Sequence, residues 1–415
     1  MIARQVAPNL ELDALVTERR ARGEAVIHLG FGESRLPVFP PLLEQLAAGA
    51  GRNGYGRVAG DLPAREAVAG YLDRRRIPTD PAQVVLAPGS KPLLMALQLA
   101  VPGDLLLPAP SWNTYAPQAE LAGKAVHRIP IPAECGGVPD PVLLRRTIAD
   151  ARRTGSDPRI LLLTLPDNPT GTFAGPGLVA ELVEIAREAD LLIVSDEIYR
   201  DLLHEPDRPF LSPAELAPER TVVTGGLSKN LALGGWRIGF AAFPRHGRFG
   251  WLAGQVTAIA SEVWSCLAAP MQQVAAYAFA EPPELRAYLA AAARLHGAVA
   301  AAVADIFTAA GARCRPPTGG FYVYPDFEVL RGQYGIDDSA GLQQLLLEQA
   351  GIAVLGGHHQ GDDPAALRFR AATSMLYGDT AEEQSAALNS ADPLALPQLA
   401  AVLNDLRRSL SKVCG

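Results

Sequence analysis

Lys229 sits in a loop of small residues, Thr224-Gly225-Gly226-Leu227-Ser228-Lys229-Asn230, and Arg237 follows eight positions later in Gly234-Gly235-Trp236-Arg237-Ile238-Gly239. A lysine does covalent work only when its amine can be neutral, and an apolar or cation-rich setting lowers its pKa enough to allow that. Gly225, Gly226, Gly234 and Gly235 let the backbone turn tightly and approach a ligand, while Ser228 and Arg237 are groups that hold a phosphate. The plainer reading is a glycine-rich turn with one solvated lysine, and this stretch alone leaves both open.

Four other positions carry chemistry of a kind that fits beside such a lysine. Asp196 closes the apolar run Leu191-Leu192-Ile193-Val194-Ser195, where an acid is either a ligand of whatever sits above a sheet or a helix N-cap. Asn168 lies in the polar turn Pro166-Asp167-Asn168-Pro169-Thr170-Gly171, which follows the apolar run 160–165. Gly89-Ser90-Lys91 opens a helical segment, so its free N–H groups make an anion site or merely an ordinary strand-to-helix turn. Trp112, in a Pro/Ser/Asn loop, is a packing aromatic or a stacking platform for a flat ring.

The elements that must position these groups read as an alternation. Short apolar runs at 84–86, 105–107, 125–131, 160–165, 191–195, 221–224 and 238–243 alternate with helical patterns at 92–100, 140–152 and 177–189. This is the rhythm of a βαβ sheet with helices on both faces. Ahead of it, a strand over 25–29 ends in Gly30-Phe31-Gly32-Glu33, and helices over 40–50 and 62–75 flank a glycine-rich connection holding Tyr55. Beyond it come long Ala-rich helices over 249–279 and 283–310, strands at 321–324, 352–355 and 367–371, and a helix at 340–350. The change of rhythm near residue 290 predicts a second α+β domain completed by the N-terminal arm. The expected division is an arm and part of the small domain over 1–45, a large domain over 46–290 and a small domain over 291–415.

With 415 residues, 48% hydrophobic and 20% charged, the chain has the composition of a globular protein able to bury a large core. A net charge of −7, with no basic run longer than Arg74-Arg75-Arg76, argues against a nucleic-acid surface. Four dispersed cysteines without CxxC spacing suggest neither a disulfide scaffold nor a metal site. No signal-peptide core or membrane-length run is visible, so the expected location is the cytoplasm.

Taken in order, Asn168-Pro169-Thr170-Gly171, Asp196-Glu197-Ile198-Tyr199, Leu227-Ser228-Lys229, Gly235-Trp236-Arg237-Ile238-Gly239 and the late Arg368 resemble the class I/II aminotransferases among fold-type I pyridoxal-phosphate enzymes. The resemblance covers nearly the whole chain. It implies an α/β fold: a three-layer αβα large domain with a mostly parallel seven-stranded sheet, plus a smaller α+β domain. It implies pyridoxal 5'-phosphate as cofactor and Lys229 as the Schiff-base lysine that also moves the substrate proton. Asp196 would pair with the pyridinium nitrogen, Tyr199 and Asn168 with the ring's 3-oxygen, and Trp112 would stack on the ring. Gly89, Ser90, Lys91, Ser228 and Arg237 would hold the phosphate, joined by Tyr55 of a neighbouring subunit in a homodimer with shared sites. Arg368 would take the substrate carboxylate, with Gly32 and Asn168 nearby. His358 and His359 are candidates for a substrate side-chain contact or acid/base group, against the reading of surface polar residues.

Two departures from the pattern stand out. Gly226 occupies a position where the family often has a phosphate-binding serine, a loss that Thr224 could make good, and Gly356-Gly357-His358-His359 replaces a stretch that often holds proline and phenylalanine. The implied activity is transfer of an amino group from an L-amino acid to a 2-oxo acid. Leu29-Gly30-Phe31-Gly32-Glu33 also resembles aminocyclopropane-carboxylate synthases, making γ-elimination the alternative, with a pyridoxal-phosphate-sensing regulator further off.

Overall fold

The alternating apolar runs after residue 83 fold into one seven-stranded sheet. In this computed structural model, which describes residues 6–414, the first five residues of the expected N-terminal arm and Gly415 lie outside the described residues. In chain order the strands are β1 (Ile27–His28), β2 (Val84–Pro88), β3 (Asp104–Ala109), β4 (Val126–Pro130), β5 (Pro158–Thr164) and β6 (Leu192–Asp196). They continue as β7 (Thr221–Gly226), β8 (Ile238–Ala242), β9 (Tyr322–Val323), β10 (Ile352–Ala353), β11 (Leu355–Gly356) and β12 (Phe369–Ala372).

The large sheet has the order β2-β8-β7-β6-β5-β3-β4. The pairs β3/β4, β3/β5, β5/β6 and β6/β7 are parallel, while β8 runs antiparallel to both its neighbours. Its central strands are apolar without alternation because helices cover both faces. On β5, Ile160 and Leu162 face a core shared with the helices Ser90–Ala100 and Leu252–Val263, while Leu161 and Leu163 face the helices Pro141–Arg153 and Pro176–Glu188. The chain leaves β3 for β4 on one side and later places β5 on the other. That reversal opens a crevice at the carboxyl ends of the strands.

Two small sheets lie outside the large one. β1 pairs in parallel with β10, and β12 lies between β11 and β9 in an antiparallel sheet. Through β1 the N-terminal segment pairs with a strand from near the end of the chain. The expected strand 352–355 is divided between the two small sheets, β10 in one and β11 in the other. The expected helix over 249–279 is two helices, Leu252–Val263 and Ala269–Ala280. Between them Ser265 takes a left-handed φ of 62°, and Pro270 is accommodated in the first turn of the second helix.

The helix Pro283–Ala309 is long and apolar enough by length and composition to cross a membrane, but its Leu285, Leu289, Val299, Val303 and Phe307 are buried in the protein's own core. Residue 290, where the domain change was expected, lies within this unbroken helix.

Candidate active site

Five segments at one edge of the large sheet meet at a cavity of about 440 Å³. Four are strand ends pointing the same way: Ser90 and Lys91 after β2, Trp112 and Tyr115 after β3, Asn168 after β5, and Asp196 at the end of β6. The fifth is the loop from β7 to β8, which brings Ser228, Lys229 and Arg237. Gly32, Glu33, Tyr322 and Arg370 close the cavity from the small sheets' side, and Asn9 and Leu10 of the helix Pro8–Ala21 also reach it.

Lys229 Nζ donates to the Gly32 carbonyl. Burial first, then the Arg370 guanidinium, lowers its pKa to about 8; Arg237 and Lys91 add to the shift and Glu33 opposes it. At pH 7 about a tenth of such an amine is neutral, against about three in ten thousand for an unperturbed lysine. Burial beside cations is a setting in which a lysine amine can do covalent work.

Asp196 is 2% exposed. Its Oδ2 accepts from Tyr115 Oη at 2.8 Å, and its buried Oδ1 has no hydrogen-bond partner. Burial raises its pKa to about 6, opposed by the Tyr115 hydrogen bond. Leaving such an acceptor unpaired costs about 1–3 kcal/mol, which a ligand donor at this spot would recover. Beside it Tyr199 Oη lies 2.8 Å from Tyr322 Oη and accepts from Asn168 Nδ2 at 3.3 Å.

The anion side is built on close backbone approach. Gly89 has φ 84°, and a Cβ there would lie 2.1 Å from Arg237 Nη2, so only glycine lets the guanidinium cover the turn that opens the helix Ser90–Ala100. Gly239 presses on the same turn: a Cβ there would lie 2.4 Å from Ser90 N. Lys91 Nζ stands 5.2 Å from the centroid of the Trp112 ring, and burial, with Arg237, lowers its pKa.

Arg368, the expected carboxylate-binding arginine, lies outside the cavity lining. It pairs with Asp326 at 3.1 Å and Asp362 at 3.3 Å. Arg370, two residues on, does line the cavity. It is 2% exposed, donates from Nη1 to Asn168 Oδ1 at 3.2 Å and from Nη2 to the Gly30 carbonyl at 2.9 Å, and has an unpartnered buried Nε. No carboxylate among the described residues pairs with it.

A family model described as aminotransferase class I and II matches residues 24–376. The chain belongs to the class I and II aminotransferases. It is 30% identical over 366 residues to the aspartate/prephenate aminotransferase of Thermus thermophilus, covering 86% of this chain and 89% of that one. A bifunctional aspartate aminotransferase and glutamate/aspartate-prephenate aminotransferase of Petunia hybrida is 31% identical over 87% of this chain and 76% of its own. The solved structure of the Thermus thermophilus aspartate aminotransferase with maleate superposes with a TM-score of 0.82 at 26% identity, covering 98% of this chain and 97% of that one.

This aminotransferase uses pyridoxal 5'-phosphate, and its cavity fits that group. The orphaned Asp196 Oδ1 suits a protonated ring nitrogen, the glycine turn under Arg237 suits the phosphate, and the Lys229 amine in the same cavity suits the aldehyde. Gly226 is also accounted for: a Cβ there would lie 2.5 Å from the Ile238 carbonyl oxygen, so this backbone has no room for a serine. Thr224 is fully buried and does not line the cavity, so its hydroxyl is no substitute.

Three expected residues lie elsewhere in the aminotransferase. Tyr55 is 95% exposed and does not reach its own chain's cavity. The His358 and His359 rings, tilted by 43° with centroids 3.8 Å apart, lie away from the cavity lining, and His358 Nδ1 is 2.8 Å from Ser339 Oγ. Burial pushes both pKa values down, His359 to about 4, so His359 is uncharged at neutral pH. Tyr115, Tyr322, Glu33 and Asn9 escaped sequence reasoning because nothing in their spacing separates them from packing residues.

Proposed function

We propose that this aminotransferase takes dicarboxylic L-amino acids of the aspartate or glutamate type as amino donors. The amine and a hydrogen leave the donor Cα, which takes its carbonyl oxygen from water and becomes a 2-oxo acid; they are delivered to the carbonyl carbon of the acceptor, whose oxygen leaves as water, so atoms and electrons balance across the two halves. The observation carrying this reading is that Arg370 and Lys91, two cations of one cavity, pair with no carboxylate among the described residues. Both the relatives' names and the maleate of the Thermus structure are dicarboxylate chemistry.

Arg370, held by Asn168 and Gly30, offers its free guanidinium edge to the α-carboxylate. Lys91 is the cation for the second carboxylate. When bound, pyridoxal phosphate supplies an electron sink for the charge left when the Cα proton departs. Asp196, ionised near neutral pH, keeps the ring nitrogen protonated, and Tyr115 fixes the carboxylate's direction. Lys229 would hold the cofactor at rest; once freed by the substrate amine, its neutral amine would take the proton from the substrate Cα. Ser90, Ser228 and Arg237 hold the phosphate.

The proposal also includes a cytoplasmic homodimer in which Tyr55 serves the neighbouring chain's site. It is supported by the 95% exposure of that ring, which lies outside its own chain's cavity lining.

The donor class is tested by steady-state kinetics with Lys91→Ala. KM for aspartate or glutamate should rise about tenfold or more, as expected for loss of a charge-assisted contact, while KM for a neutral donor changes little. An equal loss for both donors would assign Lys91 to the cofactor instead.

A further inference from the structure

Behind the lysine loop lies a buried charged cluster that amino transfer does not itself use. Asn230, the residue after Lys229, is 5% exposed, and its Nδ2 donates to Asp201 Oδ2 at 2.7 Å. The same carboxylate accepts from Tyr71 Oη at 3.0 Å and from Arg75 Nη2 at 2.6 Å. Arg75 is itself fixed, bonded to Glu281 at 2.5 and 2.9 Å with its guanidinium 3.5 Å from the Tyr71 ring centroid. Arg200 joins by donating to the Arg75 carbonyl at 3.1 Å while pairing with Glu197 at 2.5 Å. Glu197, Arg200 and Asp201 directly follow Asp196 and Tyr199 in the chain. One cluster therefore grips the backs of two segments whose fronts line the cavity.

We propose that Asn230 and Asp201 are positioning residues, whose hydrogen bond, backed by Arg75, holds the loop so that the Lys229 amine stays in the cavity against the Gly32 carbonyl. This rests on the reading of Lys229 as the cofactor-bearing amine. Leu227, Leu231 and Leu233 bury the loop's apolar side chains, but apolar contact sets no direction. The loop also carries left-handed Ala232 and Arg237, with φ of 55° and 56°, and a Cβ at Gly235 would touch nothing within 4 Å. Asn230 is the one residue next to Lys229 with a directional side-chain bond to the buried scaffold. The charged groups acting on the amine from the packed elements are Arg370, Arg237 and Lys91, which favour its neutral form, and Glu33, which opposes them.

The test follows the reaction of cofactor-free full-length protein with pyridoxal phosphate by absorbance from pH 6 to 10, with thermal unfolding and turnover measured alongside. In the wild type the rate should rise through a midpoint near pH 8. Asn230→Ala frees the loop and lets water reach the amine, so the midpoint should move up by about one pH unit, and kcat should fall about tenfold with KM little changed. Asn230→Ser, too short to reach Asp201 but still polar, should shift the same way and covers the case in which the alanine variant does not fold. Variants that lose thermal stability yet keep the wild-type midpoint and kcat would overturn the positioning role. A wild type that fails to react at Lys229 would instead overturn the reading on which the inference rests.

Discussion

At the scale of single residues, the site shows which chemistry announces itself in sequence and which does not. Lys229, Asp196 and Asn168, which the structure brings to one cavity, each stand in the sequence as a polar group in a short turn or strand end after an apolar run, where an open sheet places its crevice. Arg370 was not legible, because two arginines two positions apart in Leu367-Arg368-Phe369-Arg370-Ala371 look alike until their partners are known. The structure separates them: Arg368 is neutralised by Asp326 and Asp362, while Arg370 is buried without a carboxylate. Arg370→Ala should therefore lower kcat/KM for every amino donor by about a hundredfold or more, the loss of a charge-assisted fork. Arg368→Ala should change it by less than about threefold, consistent with a partly exposed ion pair. Kinetics on the two variants with one donor compare them directly, and equal losses would return the role to Arg368.

At the scale of elements, the sheet does the positioning. Strand ends in the same direction at β2, β3, β5, β6 and β7 bring five separate turns to one edge, and the antiparallel β8 starts from that edge, which is why Arg237 and Gly239 meet the Gly89-Ser90 turn. The alternation of apolar and helical runs was readable because period and length differ sharply between buried strands and amphipathic helices. Sheet order and the direction of β8 were not, since register is decided by contacts far apart in sequence. The break near Ser265 did leave a mark in the sequence, Pro270, which a helix accepts only in its first turn, but the Ala-rich composition on both sides reads as one continuous helix. In Ala353-Val354-Leu355, a single apolar run gave no sign of serving two sheets.

At the scale of the whole molecule, the N-terminal helix and β1 join structure made by the last quarter of the chain, so the cavity is closed by residues from both ends of the sequence. The exposed Tyr55 extends this logic to a second chain. Sedimentation at micromolar concentration should show a species of about twice the 43.9 kDa chain mass, and a fully active 43.9 kDa species would contradict shared sites. The central claim remains that Lys229 is the amine that carries the cofactor. Reducing the cofactor-loaded protein with borohydride and mapping its peptides by mass should place the pyridoxyl phosphate group on Lys229. Finding it on Lys91, Lys124 or Lys412, or on no lysine, would contradict the account.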